Sequence, residues 1–197
     1  MNIVRLNWLR GKQMSLKKFE DSDILLRKIE QEDAIVLMNL NNNPEIMKCV
    51  VGNPKVVTIE QQKKWMEKIK DEKNVYRLMI CCQNVAVGTI IISNIDEGTK
   101  MANLNIKIDK EYWGKGIGFH AIKKALNICF VDFGLHCVTA HILTENLASL
   151  ALFKKCGFKE EGVLRARVFK DEEYKDLVSL SILSFEYFVN NYDKETV

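Results

Sequence analysis

Three glycines alternate through Gly114-Lys115-Gly116-Ile117-Gly118, and Tyr112 and Trp113 lead into them. Glycine has no Cβ, so the backbone N–H groups of such a run can close on a ligand. A segment with helical spacing follows directly, with Ile122, Ala125, Leu126, Cys129 and Phe133 on one face. The free N–H groups at its start, and its dipole, would face the same ligand. An extended apolar run, Leu104 to Ile108, precedes the glycines. Strand, glycine turn and helix make a context for holding a phosphate; for the glycines alone, a plain tight turn is the other reading. Two nucleotide motifs match weakly. A Walker loop requires Ser or Thr after Gly-Lys, and Gly116 follows Lys115. A dinucleotide fingerprint requires a third glycine, where Ala121 stands, and an acid about 20 residues on. Here the unit lies mid-chain, and the next strand carries His141 and ends in Thr144 and Glu145.

The elements that must position this loop follow from periodicity and punctuation. Ile24 to Ile29 reads as a strand. Glu30 to Leu40 reads as a helix with acids in its first turn, stopped by Asn41-Asn42-Asn43-Pro44. Thr58 is an expected N-cap for a second helix carrying Trp65, Met66 and Ile69. Tyr76 to Cys82 and Val85 to Ile95 form a hairpin across Gln83-Asn84, and Asp96-Glu97-Gly98-Thr99 turns into a strand from Met101 to Ile108. Gly134 ends the helix after the glycine loop, and the crossover makes Cys137 to Leu143 parallel to the strand before it. Asn146 opens a short helix that Gly157 closes. Strands Phe158 to Phe169 and Tyr174 to Phe185 come last. The order β-α-α-β-β-β-α-β-α-β-β fits one mixed sheet with helices on both faces, an α/β (α+β) domain.

Composition narrows the function. The 197 residues, 47% of them apolar and 28% charged, fit one globular domain, expected over 21–190 behind an extension at 1–20. A net charge of +3 argues against nucleic acid as a partner. No apolar run reaches the ~18 residues a membrane helix needs, and the start, with Arg5 and Arg10, is a poor signal peptide. The six cysteines show no paired metal spacing, so free thiols in a cytoplasmic protein are expected, with no metal.

Four segments together carry a resemblance. Trp113 to Gly118 aligns with a pyrophosphate loop. Asn146-Leu147-Ala148-Ser149 leads to Phe153-Lys154-Lys155-Cys156-Gly157-Phe158. Glu161-Gly162-Val163-Leu164-Arg165 is followed by Phe169-Lys170-Asp171-Glu172-Glu173-Tyr174-Lys175-Asp176. Val87-Gly88-Thr89-Ile90 matches a third strand. In this order they resemble the GNAT superfamily of acetyl-CoA-dependent N-acetyltransferases, over roughly Ile24 to Phe185, and most closely the RimJ/RimL type that includes ribosomal-protein and spermidine N-acetyltransferases. Leu40 to Met47 also looks like the first helix end of the spermidine enzymes.

The resemblance implies a single GNAT-like domain. Its sheet would be mixed and mostly antiparallel, with six to seven strands, splayed central strands and about four helices. It implies acetyl-CoA as co-substrate and direct attack on the thioester by a primary amine: a protein N-terminus, a polyamine such as spermidine, or an amino sugar. The backbone of Asn105, Ile106, Lys107 and Ile108 would hold the pantetheine, with the N–H near Ile106 polarising the thioester carbonyl. Trp113, Gly114, Lys115, Gly116, Ile117, Gly118 and Phe119 would hold the pyrophosphate. Asn146 would bond pantetheine or acceptor, its alternative being an ordinary N-cap. Ser149 stands where relatives place a serine proposed to protonate the leaving thiolate. Phe153 replaces the tyrosine acid of many members. The usual glutamate on the fourth strand is missing, which leaves His120, His141 or a water chain to Glu97 for the base. Trp65 would wall the acceptor pocket. The family often dimerises, so a homodimer is implied too. The rival from another class is a non-catalytic acetyl-CoA sensor or scaffold.

Overall fold

Cys81 and Cys82 are adjacent, yet each is only 3% exposed. Successive strand residues point to opposite faces, so the sheet that carries them must be covered on both sides. The computed structural model describes residues 18–52 and 55–192; most of the expected N-terminal extension lies outside them. Within the described residues one seven-stranded sheet runs in the order β1-β2-β3-β4-β5-β7-β6. The strands are β1 (Ile24–Lys28), β2 (Val75–Cys82), β3 (Val85–Asp96), β4 (Met101–Ile108), β5 (Cys137–Leu143), β6 (Lys159–Lys170) and β7 (Glu173–Leu183). All pairs are antiparallel except β4 with β5.

One face carries α4 (Ile117–Asn127), which runs into a wider π turn at Ile128–Asp132, and α5 (Leu147–Lys155). Beneath them lies the larger core, with Ile80, Cys82, Ile90, Leu104, Ile122, Leu126, Val138 and Leu180. The other face carries α1 (Ala34–Asn42), α2 (Pro44–Cys49) and α3 (Ile59–Lys68). There a smaller core joins Ala34, Leu37 and Met66 to Met79 and Cys81. The expected two-sided sheet is therefore present, and each cysteine of the pair serves one layer.

Local chemistry explains the boundaries. Gln83 and Asn84 both adopt positive φ, 49° and 67°, as a two-residue hairpin turn with right-handed strand twist demands. Thr58 caps α3 by accepting the N–H of Gln61, whose side chain returns a bond to the Thr58 N–H. Two elements differ from the sequence reading. Pro44 does more than stop α1. It opens α2, capped by Asn43, whose Oδ1 accepts the N–H groups of Glu45 (3.0 Å) and Ile46 (3.4 Å), because proline's missing N–H costs nothing in a first turn. The last strand ends at Leu183, short of Phe185, and α6 (Ser184–Tyr192) follows. Glu186 turns the chain there by accepting the Leu183 N–H at 3.0 Å. Tyr187 then docks against Phe130 with ring centroids 5.0 Å apart.

A buried ion pair fixes α1 to the sheet. Asp33, 3% exposed, accepts both arms of the Arg27 guanidinium at 2.7 Å and the N–H of Glu30 at 2.8 Å. Burial opposes ionisation of this carboxyl, but the bonds to Arg27 and the Glu30 N–H outweigh it and hold its pKa below the ordinary 3.8. A depressed folded pKa contributes stability above the unfolded value and loses it as pH falls through the folded one. Asp33→Asn should therefore cost roughly 1.5–3 kcal/mol at neutral pH, the scale of hydrogen bonds to charged groups, since it removes the carboxylate that takes both guanidinium arms and leaves Glu30, 3.8 Å away, as the remaining ion partner of Arg27. It should also flatten the acid limb of the stability profile below pH 3.8. Urea unfolding midpoints across that range check both.

Candidate active site

Strands β4 and β5 pair only at Met101 with Cys137, Ala102 with Val138 and Asn103 with Thr139. Beyond Asn103 they part, while β4 stays paired with β3 as far as Ile108. Which backbone groups face the gap follows from parity. The carbonyl of Ala102 accepts the Thr139 hydroxyl (3.4 Å) on the β5 side, and that of Ile108 accepts the Trp113 indole N–H (2.7 Å). In an antiparallel strand, residues two apart aim their N–H and C=O to the same side. Leu104 and Ile106 therefore present theirs to the edge that β5 has left. The splay implied by the resemblance is present, and the Ile106 N–H lies on it.

At the end of β4 the chain enters the glycine loop. Asp109 accepts the N–H of Glu111 (3.1 Å) and starts one tight turn, Lys110–Tyr112. Gly114 and Gly116 take left-handed φ of 72° and 88°, which a side chain adopts only with strain. Gly116 directly precedes α4. Gly118 has the tightest surroundings: an added Cβ would sit 2.9 Å from Leu152 Cδ2 and 3.3 Å from Ile108 Cδ1. The N–H groups of residues 114–118 meet no backbone acceptor among the described residues. Together with the positive end of α4 they form a concave donor set for an anion. Lys115 is nearly buried (9% exposed), its ammonium 5.4 Å over the Tyr112 ring. Its carbonyl accepts the Phe19 N–H at 2.9 Å. Phe19, placed by the sequence reading in the extension, is thus part of the core. Lys155 lies 4.9 Å over the Phe119 ring, on the flank of the loop.

The remaining expected residues fall in different places. Asn146 caps α5, its Oδ1 accepting the Ser149 N–H (3.0 Å), while its Nδ2 donates to the carbonyl of Cys49 at the end of α2 (3.0 Å). Both ends of the amide thus make one bond within the protein, and each keeps a second hydrogen-bonding position. Ser149 lies in the first turn of α5, half-buried. Phe153 is 2% exposed and packs edge-on against Phe158 at 4.9 Å. Burial takes it from the ligand surface into the core. His120 lies 3.5 Å from Asp21, which also holds Lys124 at 2.7 Å, on the outer side of α4. Glu97 precedes Met101 at the closed end of the β4–β5 pair. It is about 16 Å of strand from Ile106 at ~3.3 Å per residue, too far for a short water chain. His141 is better placed. The register that sets Asn103 opposite Thr139 sets Asn105 and His141 on either side of the opening, on the face of α1 and α3.

On that same face a cavity of about 80 Å³ lies between the two helices and β2–β4. Trp65 lines it. Lys107 and Arg77 also line it, with Asn41 and Thr89. The sequence reading used Lys107 only for its backbone and passed over Arg77. The signal available was alternation, which puts Asn103, Asn105 and Lys107 on one face of β4. Burial pulls the Lys107 ammonium below its ordinary 10.5.

The sheet thus parts beside a glycine cradle, with a polar cavity on the face of α1 and α3. The chain belongs to the acetyltransferase (GNAT) domain family, whose model matches residues 23–159. It is 29% identical to the spermidine N(1)-acetyltransferase of Vibrio cholerae serotype O1, over 85% of this chain and 96% of that protein. It is 25% identical to the Escherichia coli (strain K12) spermidine N(1)-acetyltransferase, over 85% and 90%. The crystal structure of the Vibrio cholerae enzyme in complex with CoA and spermine superposes with a TM-score of 0.79 at 28% identity, covering 85% of this chain and 99% of that one. The protein is an acetyl-CoA-dependent N-acetyltransferase, not a sensor, and its acceptor is an amine.

Gly116 tests the cradle. Gly116→Val introduces strain at a left-handed position, about 1 kcal/mol or more, and sets a Cβ 3.2 Å from the Phe19 carbonyl. Acetyl-CoA affinity should fall at least about tenfold for a loss of ~1.4 kcal/mol, read by isothermal titration calorimetry. Unchanged affinity would remove the loop from the cofactor site.

Proposed function

We propose that this enzyme acetylates the primary amine of a small aliphatic molecule by direct attack in a ternary complex. The observation that carries the reading is the open edge of β4 lying next to the free N–H groups of residues 114–118. The loop takes the pyrophosphate, the edge from Asn105 to Ile108 takes the pantetheine, and the Ile106 N–H faces the thioester carbonyl. A fixed donor there lowers the barrier because the oxygen gains charge as the amine adds. The amine nitrogen forms a bond to the acetyl carbon, the carbon–sulfur bond breaks, the nitrogen gives up a proton and the sulfur takes one. An alkylammonium with pKa ~10.4 must lose its proton before attack, whereas a thiolate of pKa ~8.5 leaves readily. Ser149, in the first turn of α5, supplies the proton to sulfur; His141, across the opening from Asn105, is the candidate for receiving the amine's.

Likeness to two spermidine acetyltransferases along 85% of the chain supports a small-molecule amine over a protein N-terminus. The segments Glu161 to Arg165 and Phe169 to Asp176 support the RimJ/RimL branch, and a cytoplasmic site of action goes with it. A homodimer completes the reading. Exposed Phe185, Phe188 and Val189 on α6 offer an apolar face for it, and a spermidine N-acetyltransferase from Vibrio cholerae is described as dodecameric.

CoA release from acetyl-CoA should appear with spermidine, free amino acids or other small amines and be weak with peptides. Release with peptides alone would overturn the small-molecule reading. Ser149→Ala should lower kcat by roughly a hundredfold, the low end of general-acid contributions, with the KM for acetyl-CoA little changed. An unaltered kcat would free Ser149 of the role.

A further inference from the structure

The cavity beside Trp65 holds two cationic side chains, and among the described residues no carboxylate lines it. Lys107 spends one of its three N–H donors on Asn41 Oδ1 at 2.9 Å. Asn41 is held in turn, its amide donating to Gln62 Oε1 at 3.1 Å, so the ammonium is aimed rather than loose. Arg77 lies 5.6 Å over the Trp65 ring. One arm is tied to the carboxylate of Glu72 at 2.6 Å, yet its Nε–H is buried and meets no acceptor among the described residues. Thr89 adds a buried hydroxyl, and Leu37 and Leu40 make the rest of the wall aliphatic. Buried donors without acceptors are costly unless something meets them. At ~10–15 Å³ per water position, the cavity has room for several waters or a small charged group.

We propose that this cavity receives the anionic end of the acceptor, so that the amine acetylated belongs to a small aliphatic molecule that also bears a carboxylate. The inference rests on the reading of the β4 edge as the acetyl site, and Lys107 directly follows Ile106 on that edge. A polyamine would have to place a second ammonium beside Lys107 and Arg77. A carboxylate there satisfies both donors and leaves the amine end free to reach the opening. Selection then works by repulsion as well as by attraction.

Matched acceptors test it. Putrescine and γ-aminobutyrate share a four-carbon chain and differ in carrying an ammonium or a carboxylate at the far end; cadaverine and free lysine differ by one added carboxylate. In each pair kcat/KM should favour the carboxylate by at least about tenfold, the kind of discrimination buried donors give. The preference should shrink about tenfold in Lys107→Gln and in Arg77→Gln. A ratio taken within one protein is independent of how much of a variant folds. Aminoethylphosphonate tells phosphoryl from carboxyl: if it outruns β-alanine, the carboxylate assignment is overturned. A wild-type preference for the diamines, or a ratio that neither variant moves, overturns the proposal. If acetyl-CoA binds and no amine releases CoA, the small-amine reading fails by itself. The cavity is then read by equilibrium binding to the CoA-loaded protein. N-acetyl-γ-aminobutyrate binding about tenfold tighter than N-acetylputrescine sustains it; equal or reversed binding overturns it.

Discussion

A strand edge inside a protein carries N–H and C=O groups that must bond to something. In this chain that constraint falls on β4 from Leu104 to Ile108, paired on one side and deserted on the other. Every device around the site serves it. Trp113 covers the last carbonyl of the edge. Gly118 lets α4 lie close against Ile108 and Leu152. The N–H groups of the loop between them meet no backbone acceptor among the described residues. A substrate with a peptide-like arm and a charged diphosphate answers both deficits at once, because an extended amide chain can take the place of a strand. On the proposed reading, binding energy and catalytic geometry share one origin, since the Ile106 N–H belongs to the same row of amides.

The two faces of the sheet divide the labour. Under α4 and α5 the core is apolar and dense, and it makes the loop's support rigid. Under α1 and α3 the core is small, and polar side chains reach into it: Asp33 with Arg27, Asn41 with Lys107 and Gln62, Arg77 against Trp65. Buried polar groups of this kind specify geometry more than they stabilise it. The face that carries the polar cavity is the face with the smaller apolar core.

Much of this was legible in residue order. The strand spans, Thr58 and Asn146 as caps, and the glycine loop rest on rules with a period of a few residues, and those rules hold here. What escaped rests on contacts between distant parts of the chain. The bond from Asn146 to the Cys49 carbonyl, 97 residues away, has no signal in the local sequence. Phe153 looks like a displaced acid but is a core ring. Phe185 continues an apolar run that suits a strand, yet Glu186 turns the chain into a helix by a bond to Leu183. The pairing of Lys107 with Asn41, and of Arg77 with Trp65, depends on which helix crosses which strand, and no local pattern encodes that.

The parting of β4 from β5 has a mechanical side. Residues 18–108 build one half-sheet and residues 137–192 the other, each from a continuous stretch of chain. Between them the sheet is stitched by three residue pairs and by the Lys100 carbonyl, which accepts the N–H groups of His136 and Cys137. The crossover helix, which packs on β1, β3 and β4 and on α5, ties the halves on one face. Elsewhere Asn146 reaches the Cys49 carbonyl, and Lys170 reaches the carbonyls of Met47 and Gly52. The molecule is thus two panels with a short seam between them, held mostly by ties outside the sheet, and a pull across the seam would load those ties before either panel.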